Sequence, residues 1–230
     1  MGIIVKPVYV LLTSHPWNDD LFSTLSKSKD LVWIRISTKE DFSIERLSII
    51  NPLMIFIPHW SYFIPAEIFN SFECVVFHMT DLPYGRGGSP LQNLILRGHK
   101  QTKISALKVV KDLDAGPIYL KKELALQGSA DMIFRRASDV IEGMIKEIIV
   151  NNIKPIPQIG TPVIFKRRTP AESNLRNVNT IEETYDYIRM LDAEGYPHAF
   201  VETEYLRFEF TDAVNSENGE LKANVRIFKK

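Results

Sequence analysis

Val75–His99, VVFHMTDLPYGRGGSPLQNLILRGH, begins as an apolar strand and finishes with the spacing of an amphipathic helix. Between the two, the chain passes a histidine, an aspartate and a loop rich in Gly, Pro and Arg. A strand handing over to a helix in this way is one step of an α/β alternation, and the flanking sequence repeats it. PVYVLLT, LVWIRIS, LMIFIPH and CVVFHMT are apolar at consecutive positions, as strands of a parallel sheet covered on both faces must be. WNDDLFSTLSKS and KEDFSIERLSII carry helical spacing between them. The reading is an α/β doubly wound domain, with a Rossmann-like, mostly parallel sheet and right-handed crossovers.

Downstream, SPLQNLILRG predicts a helix with Ser89 as N-cap and Pro90 at its first position. KISALKVVKDLDAG and PIYLKKELAL predict a strand, a loop and another strand. SADMIFRRASDVIEGMIKEIIVNN predicts the longest helix, with Ile133, Val140, Ile141, Met144, Ile148 and Ile149 as its apolar stripe. KPIPQIGTP marks a linker. Beyond it come a helix opened by a Thr180/Glu183 capping box and three strands, HAFVETE, YLRFEFTDA and NVRIFKK, the last two joined by a turn at NSENGE. The expected organisation is a catalytic domain over 1–153, a linker over 154–179 and a small helix-plus-strand appendage over 180–230.

The bulk numbers restrict function. Lys+Arg and Asp+Glu both number 28, so no global basic field holds a polyanion, and no nucleic-acid partner is expected. The single Cys74 sits inside an apolar strand and reads as a buried, inert thiol. MGIIVKPVYVLLTSH breaks at Thr13-Ser14-His15 without a small-residue cleavage site, so it reads as the first strand rather than a signal peptide. No run approaches the ~20 apolar residues of a membrane span, and a cytoplasmic location is the default expectation. The five histidines, His15, His59, His78, His99 and His198, include no i, i+4 pair, so no metal site is expected. No G-x-G-x-x-G follows the first strand, which leaves a dinucleotide site without support.

His78 ends the fourth strand, at the carboxyl edge where open α/β sheets bind ligands. KDLDAG follows the next strand, with Asp114 before a small-residue turn. Two neighbouring strands can then aim an imidazole and a carboxylate at one cleft, an arrangement suited to acid/base work. Taken singly, each residue also has a plain structural use, His78 in closing the sheet and Asp114 in capping its own turn.

FHMTDLPYGRGGSPLQNLI followed by LDAGPI resembles the folate-dependent formyltransferases, which act on methionyl-tRNA, glycinamide ribonucleotide or nucleotide-linked amino sugars. Their pattern is H-x-S-L-L-P-x-x-R-G with a later L-D-x-G, and here Asp114 lies 36 residues after His78. FKRRTPAESNL (Phe165–Leu175) and IRMLDAEGYPHAF (Ile188–Phe200) resemble the family's entry into its C-terminal part and its R-A-x-x-x-x-P-x-A-F stretch. The resemblance implies 10-formyltetrahydrofolate as formyl donor and a primary amine as acceptor, with His78 as base assisted by Asp114. It places the pterin between Trp60, Tyr62, Phe63 and Ile64 on one side and Lys111, Asp112 and Asp114 on the other. The acceptor side falls to His59, Thr80, Arg86 and Gly87, with Arg167 and Arg168 next in line for a phosphate.

One position departs from the pattern. The family's catalytic asparagine stands two residues before the histidine, and here that residue is Val76. Either protonated His78, a backbone N–H or His59 supplies the missing donor, or the protein is a catalytically impaired folate binder. The short tail, with its acidic EETYDY and ETEYLRFEFTD, selects a nucleotide-linked amino-dideoxy sugar, possibly dTDP-linked, of the kind used in lipopolysaccharide O-antigen. A methionyl-tRNA formyltransferase-like enzyme is the alternative. Exposed strand edges in the tail make a homodimer a further expectation.

Overall fold

The apolar runs become parallel strands because most of their residues cannot face water. In the computed structural model, which describes residues 6–215 and 218–230, the chain passes through β1 (Val8–Thr13), α1 (Asp19–Ser26), β2 (Val32–Ile36), α2 (Ile44–Ile50), β3 (Met54–His59), α3 (Ala66–Ser71) and β4 (Cys74–His78). Helix α3 has no counterpart in the sequence reading. Met1–Val5 of the proposed first strand, and Ser216 and Glu217 of the NSENGE turn, lie outside the described residues. Val10, Leu11 and Leu12 of β1, like Ile55, Phe56 and Ile57 of β3, are buried one after another, so both faces of these strands are covered. β1 pairs in parallel with β2 on one side and with β3 on the other, and β4 pairs in parallel with β3. The winding reverses at β1, where the carboxyl ends of β1 and β3 lie side by side.

The chain continues through β5 (Tyr84–Gly87), α4 (Pro90–Leu96), β6 (Gln101–Lys108), β7 (Ile118–Ala125), α5 (Ala130–Val150), β8 (Val163–Phe165), α6 (Ile181–Arg189), β9 (Ala199–Glu202), β10 (Leu206–Asn215) and β11 (Leu221–Lys229). The main sheet has the order β2-β1-β3-β4-β6-β7. β6 runs antiparallel to β4, with Val75 opposite Lys108 and His78 opposite Ser105. The expected route from one carboxyl edge to the next is therefore not the one taken. α4 is about 10 Å long, roughly half of what a six-residue strand spans, and it does not return the chain to the sheet's amino edge.

By internal contacts the chain divides into two units that interleave along the sequence. One runs to Arg86 and includes Lys103–Leu124 and Arg135–Ile164; the other comprises Gly87–Thr102, Ala125–Phe134 and Phe165–Lys230. In the second unit, β9, β10 and β11 form an antiparallel sheet of order β11-β10-β9. Thr180 Oγ1 caps α6 by accepting from Glu183 N at 3.1 Å, while the Glu183 carboxylate accepts from Asn179 N at 3.2 Å. Ser89 does not cap α4. It has φ of +50°, and its hydroxyl instead accepts from Arg168 N at 3.0 Å. In α5 the buried stripe includes Phe134, Ala137 and Ile145 besides Ile133, Ile141, Met144 and Ile148, with Val140 and Ile149 at its half-buried margin.

Candidate active site

Alternate residues of a strand share a face, so Cys74, Val76 and His78 of β4 project together. Cys74 is buried, and burial, reinforced by Glu73 and only partly offset by Lys108, pushes its thiol up to about 12. His78 ends the row. Its Nε2 lies 2.7 Å from the carbonyl oxygen of Gly85, which can only accept, so Nε2 carries the hydrogen. Its Nδ1 lies 3.5 Å from Asp114 Oδ2, and the two side chains are 8% and 9% exposed. That separation is longer than a made hydrogen bond; catalytic contacts commonly tighten only once substrate is bound.

Asp114 reaches His78 because the chain folds back after β6. Val109 N donates to Cys74 O and Lys108 N donates to Pro117 O, both at 2.9 Å, which pins the two ends of the loop. Asp114 turns the chain with φ of +52°, a left-handed conformation that aspartate adopts more readily than most residues. Gly116 then lies against β6 so closely that a Cβ there would be 1.8 Å from Lys108 O. Gln158 closes the turn: its Nε2 donates to Asp114 O and to Gly116 O, both at 2.8 Å. Its Oε1 accepts from Arg86 Nη2 at 2.8 Å and from Arg86 Nε at 3.2 Å. Sequence reading assigned Gln158 to a linker; the only local signal for it was its place between Pro157 and Gly160.

The loop carrying His78's carbonyl partner is held as firmly. Thr80 is fully buried; its hydroxyl approaches Gly85 O at 3.4 Å and its carbonyl accepts from Ser105 Oγ at 2.7 Å. Thr80 thus lies beneath the loop, in its scaffold. Asp81 pairs with Lys121 at 2.5 Å and Lys103 at 2.9 Å. Burial pushes the Asp81 carboxyl up, but the hydrogen bonds and charges of the two lysines outweigh it and hold the group below its ordinary range.

The other residues singled out from the sequence have surroundings of their own. His59, at the end of β3, meets His15 edge-on at 4.4 Å and Trp17 at 5.4 Å. Burial, followed by repulsion from His15, lowers His59 to about 3, so it is neutral at pH 7. Trp60 and Ile64 pack on the core cluster around β1 and β3. Tyr62 stands edge-on to Trp60 at 5.4 Å with Lys39 over its ring, and Phe63 is 85% exposed. Lys111 and Asp112 are exposed, with Asp112 O accepting from Ala115 N at 3.3 Å. Gly87 has φ of +109°, and a Cβ there would strike Phe165 O at 2.4 Å. Arg168 stacks over Tyr187 at 5.5 Å and lines a polar surface cavity of about 350 Å³ with Arg176, Asn174 and Asn177. Among the described residues, no group of three or more His, Cys, Asp or Glu is arranged to hold a metal ion, and no helix is long and apolar enough to cross a membrane.

Known proteins resemble this chain in sequence and in fold. The model of the methionyl-tRNA formyltransferase C-terminal domain matches residues 170–228. The structure of a methionyl-tRNA formyltransferase from Clostridium thermocellum superposes with a TM-score of 0.95 at 44% identity, covering 97% of this chain and all of that one. The chain belongs to the methionyl-tRNA formyltransferase family. The Mesoplasma florum methionyl-tRNA formyltransferase is 27% identical over 166 residues, 68% of this chain but 53% of that protein, so the chain spans about half the length of this curated relative. A 4-N formyltransferase from Francisella tularensis is 15% identical with a TM-score of 0.64, over 95% of this chain and 96% of that one, a likeness of fold alone. The family likeness thus lies with the methionyl-tRNA enzymes, whereas the tail had pointed to the amino-sugar ones.

Proposed function

We propose that this protein transfers the formyl group of 10-formyltetrahydrofolate to a primary amine, with His78 and Asp114 managing the proton. The observation that carries the reading is the shielded His78–Asp114 pair at 3.5 Å, on the sheet face it shares with Val76. The amine nitrogen attacks the formyl carbon and an oxyanion forms. The bond from that carbon to the folate nitrogen then breaks; the amine loses one proton and the folate nitrogen gains one. Gly85 O accepts the Nε2 hydrogen, so Nδ1 is the nitrogen that takes the amine's proton, and the Asp114 carboxylate facing it stabilises the resulting imidazolium. Val76 offers no donor to the oxyanion. Both ring nitrogens of His78 already face oxygens, Gly85 O and Asp114 Oδ2, and His59 lies among His15 and Trp17, which leaves a backbone N–H as the donor to the oxyanion.

Methionyl-tRNA is the first acceptor, supported by the C-terminal-domain match and by the likeness, over 97% of this chain, to a structure named as a methionyl-tRNA formyltransferase. A nucleotide-linked amino sugar is the second, supported by the even balance of 28 basic and 28 acidic residues, a weak field for a phosphate backbone. One experiment separates them. The protein is mixed with 10-formyltetrahydrofolate and, in turn, methionyl-tRNA and dTDP-linked 3-amino- and 4-amino-dideoxyhexoses, and tetrahydrofolate release and acceptor mass are followed. Formyl-methionyl-tRNA alone supports the first acceptor, and a formylated sugar the second. Folate release without an acceptor indicates a hydrolase; tight folate binding without turnover indicates a binding module. Either of the last two outcomes overturns the proposal.

A further inference from the structure

We infer that Gln158 is a positioning residue for the His78–Asp114 pair: its side-chain amide fixes the Asp114 turn and ties that turn to Arg86. The donor and acceptor inventory admits one orientation. Two backbone carbonyls, of Asp114 and Gly116, face one end of the amide, and a guanidinium faces the other. Carbonyls only accept and guanidinium only donates, so both N–H groups point to the turn and Oε1 points to Arg86. All four bonding positions of the amide are then used. The links bridge 42 and 44 residues on one side and 72 on the other. Residue 114 takes a left-handed conformation and Gly116 leaves no room against Lys108 O, and the Gln158 amide bonds the backbone carbonyls of both residues, so it holds the turn that sets the carboxylate against Nδ1. A glutamate at 158 would set carboxylate oxygens against two carbonyls. A leucine would leave those carbonyls and the Arg86 fork without the amide.

The kinetic part of the test rests on the formyl-transfer reading; the spectroscopic part does not. In the full chain, the ring-nitrogen signals of His78, assigned by their loss in His78→Gln, are recorded for the native protein and for Gln158→Leu and Gln158→Glu. Both variants are expected to move the Nδ1 signal while Nε2, held by Gly85 O, stays near its native position. Turnover is expected to fall about tenfold or more in kcat, with KM for 10-formyltetrahydrofolate changed less than about threefold and the pH profile of kcat/KM displaced. A purely structural glutamine would lower the melting temperature and leave the Nδ1 signal and the pH profile as they are, which overturns the inference. A shifted Nδ1 signal in a protein without transfer activity keeps the inference and removes the functional reading. Should neither variant fold, the native protein still decides: the two Gln158 side-chain amide protons must exchange slowly with solvent, and fast exchange of both sinks the idea.

Discussion

Two histidines stand at the carboxyl ends of adjacent parallel strands, His59 on β3 and His78 on β4, and their surroundings give them opposite characters. His59 sits among rings, His15 and Trp17, and burial holds it neutral. His78 is buried too, yet each ring nitrogen faces an oxygen, Gly85 O on one side and Asp114 Oδ2 on the other. Position on a sheet edge therefore says little about what a histidine can do. The groups set against its two nitrogens decide it, one from the next loop and the other from 36 residues further along the chain.

The comparison breaks first at the pair itself. His78→Ala and Asp114→Asn are each expected to lower transfer by roughly 10³-fold with the fold intact by circular dichroism; near-native turnover in either would leave His78 no different in kind from His59. Gly116→Ala comes next. Its methyl group cannot be placed 1.8 Å from Lys108 O, so the Asp114 turn must move, at about 3 kcal/mol in a urea melt and with about 10²-fold lost turnover. Lys121→Met removes one of the two cations holding Asp81 beside the Gly85 loop and is expected to slow turnover about tenfold, a steady-state measurement.

The smallest effect on rate belongs to the other histidine. His59→Gln should leave turnover within about threefold of native, and its signature lies in stability. With His59 lowered to about 3 in the fold and near 6.5 in the unfolded chain, the unfolded state binds the extra proton between those values. Its contribution is fully present above pH 6.5 and is lost as pH falls toward 3, at roughly 1 kcal/mol per pH unit. Urea melts across that window should show a shallower slope for the variant; identical slopes would mean that His59 is not held neutral.

Much of the fold could be read locally. β1 to β4 appear as apolar runs within a residue or two of their observed bounds, because strands covered on both faces admit no polar alternation. α6 announces itself through Thr180 and Glu183, whose capping bonds span only a few residues. Ser89 shows the limit of that kind of inference: it has the residue type and the following Pro90 of a helix start, but its hydroxyl is taken by Arg168 N, 79 residues away. α3 was missed because only Ile68 in it is buried, too little for a periodic signal.

His78 and Asp114 were visible in the amino-acid order as residue types at strand ends, and the H…LP…RG and L-D-x-G segments carried the family. The direction of β6 was not visible. A strand's apolar pattern is the same whichever way it runs, since side-chain period carries no polarity. What carries Asp114 back to the imidazole is a set of non-local contacts, Val109 N on Cys74 O, Gly116 against Lys108 O and the Gln158 amide across 44 residues. Local chemistry chose the strands and marked the two candidate groups; only the folded chain, by closing those loops, set one against the other.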